Sequence, residues 1–115
     1  MNDKEFERNK LIKKEYNKLK KLFKPLPENK FKLIDALLHN QAFMKVILDE
    51  LQETIKREGT IEEYQNGANQ HGRKPSSNLQ AYNNTVKQYN AINKRLEEML
   101  PEEHKLSKLE MMRNV

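Results

Sequence analysis

The sequence predicts an all-α fold: a basic N-terminal helix followed by a long antiparallel helical pair, joined by a glycine-containing loop or short hairpin. Apolar residues recur at helical spacing through most of the 115-residue chain. Pro25, Pro27 and Pro101 bound the periodic segments, and all three glycines fall between residues 59 and 76. The length points to one domain. Within it, residues 1–27 read as the basic helix and its proline linker, 28–101 as the helical-hairpin core, and 102–115 as a polar tail.

The first helix is expected over residues 3–24. Asn2 or Asp3 supplies a capping oxygen, Asp3, Glu5 and Glu7 suit the positive end of the helix dipole, and Pro25 stops the helix. Ile12, Tyr16, Leu19 and Phe23 make one apolar stripe, at i, i+4, i+7 and i+11. Lys10, Lys13, Lys14, Lys20, Lys21 and Lys24 lie on the opposite side.

Pro25-Leu26-Pro27 is a stiff connector. The second helix is expected from about Glu28 to Arg57, with Gly59 as its C-cap. Its apolar stripe is wide, running through Phe31, Ile34, Leu37, Leu38, Met44, Val46, Ile47, Leu48, Leu51 and Ile55. This predicts the most buried element. Residues 59–76 carry Asn66-Gly67, the strongest turn signal in the chain. Thr60, Ile61 and Tyr64 admit either a short hairpin or an ordered loop.

A third helix is expected to begin at Ser77, with Gln80 at capping-box spacing, and to end at Pro101. Tyr82, Val86, Tyr89, Asn93, Leu96 and Leu100 repeat in steps of four and three, a coiled-coil-like seam. Tyr89, Asn93 and Leu96 are its central packing residues, facing either the second helix or another subunit. Leu106, Leu109 and Met112 in the tail fit either a short amphipathic helix on a partner or a frayed end.

Composition narrows the function. Charged residues make up 34% and hydrophobic residues 36%, and the mean hydropathy is −1.04. A chain this poor in core-formers commonly completes its core by self-association, and the wide stripe of the second helix exceeds what the narrow seam of the third can cover, so a homo-oligomer is expected. No cysteine is present, which excludes disulfides and thiolate metal sites. No apolar run approaches the ~20 residues of a membrane span, and MNDKEFERNK lacks the apolar core of a signal peptide. An intracellular protein is therefore expected. The net charge of +5 is concentrated: residues 1–32 hold eleven Lys/Arg against five Asp/Glu, and residues 33–115 hold eleven against twelve. A polyanion-facing end on a neutral scaffold follows from that asymmetry.

No catalytic or metal-binding set can be assembled, and no cofactor is expected. Gly67 to Pro75 approaches a phosphate-binding loop, but Arg73 stands where Lys is required, Lys74 where Ser or Thr would hold magnesium, and Pro75 follows. His39, His71 and His104 lack metal-ligand spacing. The adjacent pairs Glu62-Glu63, Glu97-Glu98 and Glu102-Glu103 diverge instead of converging on a cleft. The basic face of the first helix remains, and its six lysines are the expected DNA contacts. A solvated Lys-rich surface is the alternative, and a membrane-surface helix is a third reading that would want Trp or more bulky apolar residues.

From Tyr64 onward a longer pattern appears. Tyr64-Gln65-Asn66-Gly67, then Gln70, Gly72, Lys74 and Ser76, precede Tyr82-Asn83, Lys87, Tyr89, Lys94, Leu96 and Leu100-Pro101. With the preceding long helix, this order resembles the small terminase subunits of tailed phages and prophages of Gram-positive bacteria over about residues 28–101. In that pattern Tyr64, Asn66, Gly67, Gln70, Gly72, Lys74, Tyr82 and Asn83 are structural positions. The resemblance implies a non-enzymatic packaging factor in the host cytoplasm. Such a factor binds double-stranded viral DNA, recruits the large terminase subunit with its ATPase and nuclease, and assembles into a ring. The six lysines lie outside the matching region and are inferred from charge alone. The rival expectations are a helical adaptor with no nucleic-acid role and a DNA-binding transcription regulator.

Overall fold

Asn2 starts the first helix, α1 (Asp3–Leu22), its side-chain oxygen accepting from the Glu5 N–H at 2.8 Å. The computed structural model that shows this describes residues 2–101 of the chain. α1 ends at Phe23, whose N–H returns to the Leu19 carbonyl, and Leu26 closes the turn through Phe23. Pro27 opens α2 (Glu28–Glu58), where its fixed φ suits a helix entry and no side-chain cap forms. Gly59 ends α2 with φ +87°, a backbone conformation that favours glycine.

The chain then forms the short hairpin, one of the two alternatives for this segment, and with it a sheet that the all-α class does not cover. Strands β1 (Ile61–Gln65) and β2 (His71–Pro75) pair antiparallel, so the fold is mostly helical with a two-stranded sheet. Neither strand has a buried face, and local devices set the register instead. The Asn66 N–H donates to the Gln70 carbonyl at 2.8 Å, and Gly67 takes φ +86°. Tyr64 stands opposite Gly72, and a Cβ on Gly72 would lie 2.5 Å from the tyrosine ring. The absent side chain thus makes room for the aromatic cover. At the base, the Ser76 N–H donates to the Thr60 carbonyl at 2.8 Å.

α3 (Ser77–Glu98) begins one residue earlier in its capping than the capping-box spacing predicts. Ser76 is the N-cap, accepting from the Leu79 N–H at 3.0 Å, while Ser77 lies inside the helix. Ser77 instead binds Glu62, which accepts from its N–H at 3.3 Å and from its hydroxyl at 3.0 Å. Lys74 joins the same carboxylate at 3.2 Å. These donors, the Ser77 N–H foremost, then its hydroxyl and Lys74, hold the Glu62 carboxyl below its ordinary value. A depressed carboxylate pKa contributes stability that is present above the unfolded value, about 4.5, and is lost as the pH falls through the lower folded value. The Ser77 amide resonance is therefore expected to titrate with a midpoint below about 4.5, and Glu62→Gln should abolish that step. A Ser77 resonance indifferent to acid would show that the tether is absent in solution.

α2 is the central element. α1 runs antiparallel along one side, with Arg8 on Glu50 and Tyr16 on Asp35. α3 runs antiparallel along another, with Tyr82 near Gln52 and Tyr89 near Gln41. α2 contributes six buried residues, whereas α1 contributes Leu19 and α3 contributes Tyr89 and Leu96. One cluster joins all three helices: Leu19, Phe23, Leu26, Ile34, Leu38, Ala42, Leu96 and Leu100. It gathers at the α1–α2 linker end, and the hairpin extends from the opposite end of α2. The Cα radius of gyration is 18.0 Å, against about 13 Å for a compact domain of ~100 residues. The molecule is a rod 62 Å long, with its core at one end and its hairpin at the other.

Gln41 sits in the α2–α3 seam with 0% exposure. Its amide nitrogen donates to the Tyr89 carbonyl at 3.0 Å and to the Asn93 side-chain oxygen, while its own oxygen has no partner among the described residues. Such a pair fixes the axial register of two helices, because sliding either one would strand buried polar atoms.

Candidate nucleic-acid interface

The orientation of α1 is set from its inner face. Leu19 and Phe23 enter the core. The Tyr16 hydroxyl donates to Asp35, and the Tyr16 ring stacks on His39 at 3.8 Å with the planes 8° apart. The hydrogen bond to Asp35, followed by burial, raises the Tyr16 pKa. Arg8 places its Nε 2.9 Å and 3.1 Å from the two Glu50 oxygens, and that hydrogen bond raises its pKa further. With these groups turned toward α2, the opposite face of α1 meets solvent.

That face is uniform. Positions 10, 13, 14, 17, 20, 21 and 24 fall within an arc of about 120° at 100° per residue. All are Lys except Asn17, and all are exposed. None of Lys10, Lys13, Lys14, Lys20, Lys21 and Lys24 joins an ion pair among the described residues. The strip runs about 21 Å along the helix at 1.5 Å per residue. Over that length one DNA strand presents about six phosphates at ~3.4 Å axial spacing.

Sequence periodicity located this strip but missed its flank. An open groove of about 1350 Å³ lies between α1 and the second half of α2. Lys14 and Lys21 border it together with Lys18, which sits at the edge of the lysine arc, and Leu11 contributes an apolar patch. The opposite wall is mixed, with Lys45 and Arg57 among Asp49, Glu50 and Glu53. The groove is therefore less selective for anions than the outer strip.

The remaining sequence-predicted residues lie elsewhere. Tyr64, Asn66, Gly67, Gln70, Gly72 and Lys74 build the hairpin, and Lys74 is paired with Glu62. In α3 the Tyr82 hydroxyl accepts from Gln52 at 3.0 Å, and Asn83 is exposed. These residues form one unit, the hairpin with the first turns of α3, but that unit is distant from the far end of the lysine strip. Lys24 borders a small recess with Phe31, at the start of α2, and the hairpin follows the end of that 31-residue helix, about 46 Å on.

Tyr89, Asn93 and Leu96 all belong to the α2–α3 contact within one chain. Tyr89 and Leu96 are buried, and Asn93 holds Gln41. Burial pushes the Tyr89 hydroxyl pKa up. The apolar surface that α2 leaves uncovered is on a different face. Leu33 is 80% exposed and Phe43 50%, and Leu33, Ala36, Asn40, Phe43 and Ile47 follow one another in steps of three and four. The stripe expected from the sequence, Phe31 to Ile55, does not include Leu33 or Phe43, the large apolar residues that stay most exposed on α2.

No family model, curated protein or solved structure matches the chain. Among the described residues there is no cluster of potential metal ligands, and no helix is long and apolar enough to cross a membrane. The C-terminal residues Leu106, Leu109 and Met112, which fit either a short amphipathic helix or a frayed end, and also the Glu102-Glu103 pair and His104, lie outside the described residues.

Proposed function

We propose that this chain is a non-catalytic DNA-binding packaging factor of the small terminase type, acting in the host cytoplasm. It holds double-stranded viral DNA through the lysine strip of α1 and presents it to a large terminase subunit that carries the ATPase and nuclease. The observation that carries the DNA reading is the strip itself: six exposed lysines without ion-pair partners on one face of a helix whose other face is fixed. A strip that merely kept the helix soluble would be expected to interleave acidic residues, and between Lys10 and Lys24 this arc holds none. The order of residues from Tyr64 to Pro101, which resembles small terminase subunits, supports the packaging context.

A homo-oligomer belongs to the same reading. Its contact surface would be the bare stripe of α2, since the seam residues of α3 are already occupied within the chain. The stripe also supports the rival reading of a helical adaptor without a nucleic-acid role. Duplex binding measured across a range of salt separates the two. Neutralising about six phosphates predicts a slope of log K against log salt near −5, at about −0.9 per phosphate. An adaptor should show no salt-sensitive DNA affinity at all.

A further inference from the structure

Lysine ammonium groups are point charges that meet phosphates and carry little sequence information. If DNA binding rested on α1 alone, the protein would hold every sequence alike. Of residues 61–75, every one is exposed except Glu62 and Gly72, which are half-buried, so the hairpin adds almost nothing to the core. Isolated two-stranded hairpins are marginal in water. This one is nonetheless fixed at its base by Glu62, Ser76 and Ser77, across its middle by Tyr64 over Gly72, and at its tip by Asn66 and Gln70.

The two faces of the ribbon differ. Glu62, Tyr64, Gly72 and Lys74 share the face that is tied to α3. Gln65 and His71 stand opposite each other on the second face, next to the cross-strand pair Glu63 and Arg73. With the tip residues Asn66, Asn69 and Gln70, that face presents Gln65, His71 and Arg73 with side chains that have no partner among the described residues. Amides pair a donor with an acceptor and match the N6/N7 edge of adenine. Guanidinium matches guanine O6/N7, and a carboxylate such as Glu63 accepts from cytosine N4. The major groove is about 12 Å wide and ~8.5 Å deep and admits a two-stranded ribbon. Strands of five residues extend about 17 Å at ~3.3 Å per residue, enough to reach the groove floor.

We infer that the hairpin is a base-reading ribbon that enters the DNA major groove and gives the protein its sequence preference, with Gln65, Asn66, Asn69, Gln70 and Arg73 contacting base edges. This rests on the DNA-binding reading and adds to it a division of labour: α1 supplies affinity and the hairpin supplies selectivity. The hairpin and the N-terminus of α1 share one end of the rod, where Asp3 and Arg57 border the same groove, and Lys10, the first lysine of the strip, lies about 10 Å along α1 from Asp3.

The test is selection from a random-sequence duplex pool with the full chain, comparing the parent with the triple variant Gln65→Ala, Gln70→Ala, Arg73→Ala. All three side chains are exposed, so the helical circular dichroism should not change. The parent should enrich a short motif. The variant should lose that preference by roughly ten-fold or more per lost contact while still binding the bulk pool with the parent's salt slope, because no phosphate contact is removed. If the variant enriches the same motif as strongly as the parent, or if the parent binds the pool without enriching any sequence, the ribbon does not read bases. If the parent shows no DNA affinity, the DNA-binding reading itself fails and the ribbon role falls with it.

Discussion

Replacing Leu96 by Asp is expected to unfold the protein, not to release folded subunits. Leu96 has 0% exposure and packs in the cluster with Leu38, Phe23 and Leu100, where three helices meet. Truncating such a leucine to Ala already costs about 2–5 kcal/mol. A carboxyl in the same space adds the cost of an unpaired buried charge, several kcal/mol more. Set against a total stability of about 5–15 kcal/mol for a domain, and a core confined to one end of a rod, that loss removes the folded state. Thermal melting by circular dichroism checks it, and the loss should be partly relieved at low pH, where the introduced carboxyl is neutral. The matched control is Phe43→Asp with Leu33→Asp on the bare face of α2. Both side chains are at least half exposed, so helicity and melting should change little. Light scattering should show any parent oligomer reduced to monomer. If the α2 double variant stays assembled, the bare stripe is not the subunit contact. If Leu96→Asp gives folded monomers, the α3 seam is not the interior described here.

The contrast between those two surfaces shows what the sequence could and could not reveal. Helix limits were legible because prolines and Gly59 have local, context-free effects on the backbone. Burial on α2 was only half legible. A helical period reports that a residue is apolar, but α1 and α3 cover two sides of α2 and leave Leu33 and Phe43 bare. Which apolar residues are covered depends on where α1 is tied, through Tyr16, His39 and Arg8, none of which reads as a tether in the sequence. Asn93 was legible as a packing residue of the seam, but its partner Gln41 was not, because a lone Gln inside an amphipathic helix has no spacing signature.

The hairpin was ambiguous for a related reason. Strand patterns depend on alternation between a buried and an exposed face, and IEEYQ and HGRKP bury neither. Only the turn, Asn66-Gly67, had a sequence signal. The pairing of Tyr64 with Gly72 and the tether from Glu62 to Ser77 link residues eight and fifteen positions apart, and no periodicity encodes either. The lysine strip, by contrast, needs nothing beyond a helix and a count by 100°, so it was visible in full except for Lys18 at its edge.

Reversing the charge of Lys10, Lys13, Lys14 and Lys21 to Glu is expected to abolish DNA binding while leaving the fold intact. Each replacement removes one positive charge and adds one negative, so the net charge moves from +5 to −3. Four of six phosphate contacts are lost, and four carboxylates then face a polyanion along most of the strip. The salt slope should fall from about −5 to −2 or less, and affinity at physiological salt should drop at least about a hundred-fold for every sequence alike. Stability should hardly change, because these side chains are exposed and unpaired and exposed charges contribute little to folding. The positions also lie beyond the first turn of α1, so the helix dipole is little affected. Fluorescence anisotropy with a labelled duplex over a salt series reads both numbers, and circular dichroism guards against unfolding. The uniformity of the loss distinguishes a phosphate strip from the ribbon, whose variants should change which sequences are bound while retaining most of the bulk affinity. If the reversed variant kept the parent's affinity at low salt, α1 would be only a solvated surface and the DNA contact would have to lie elsewhere.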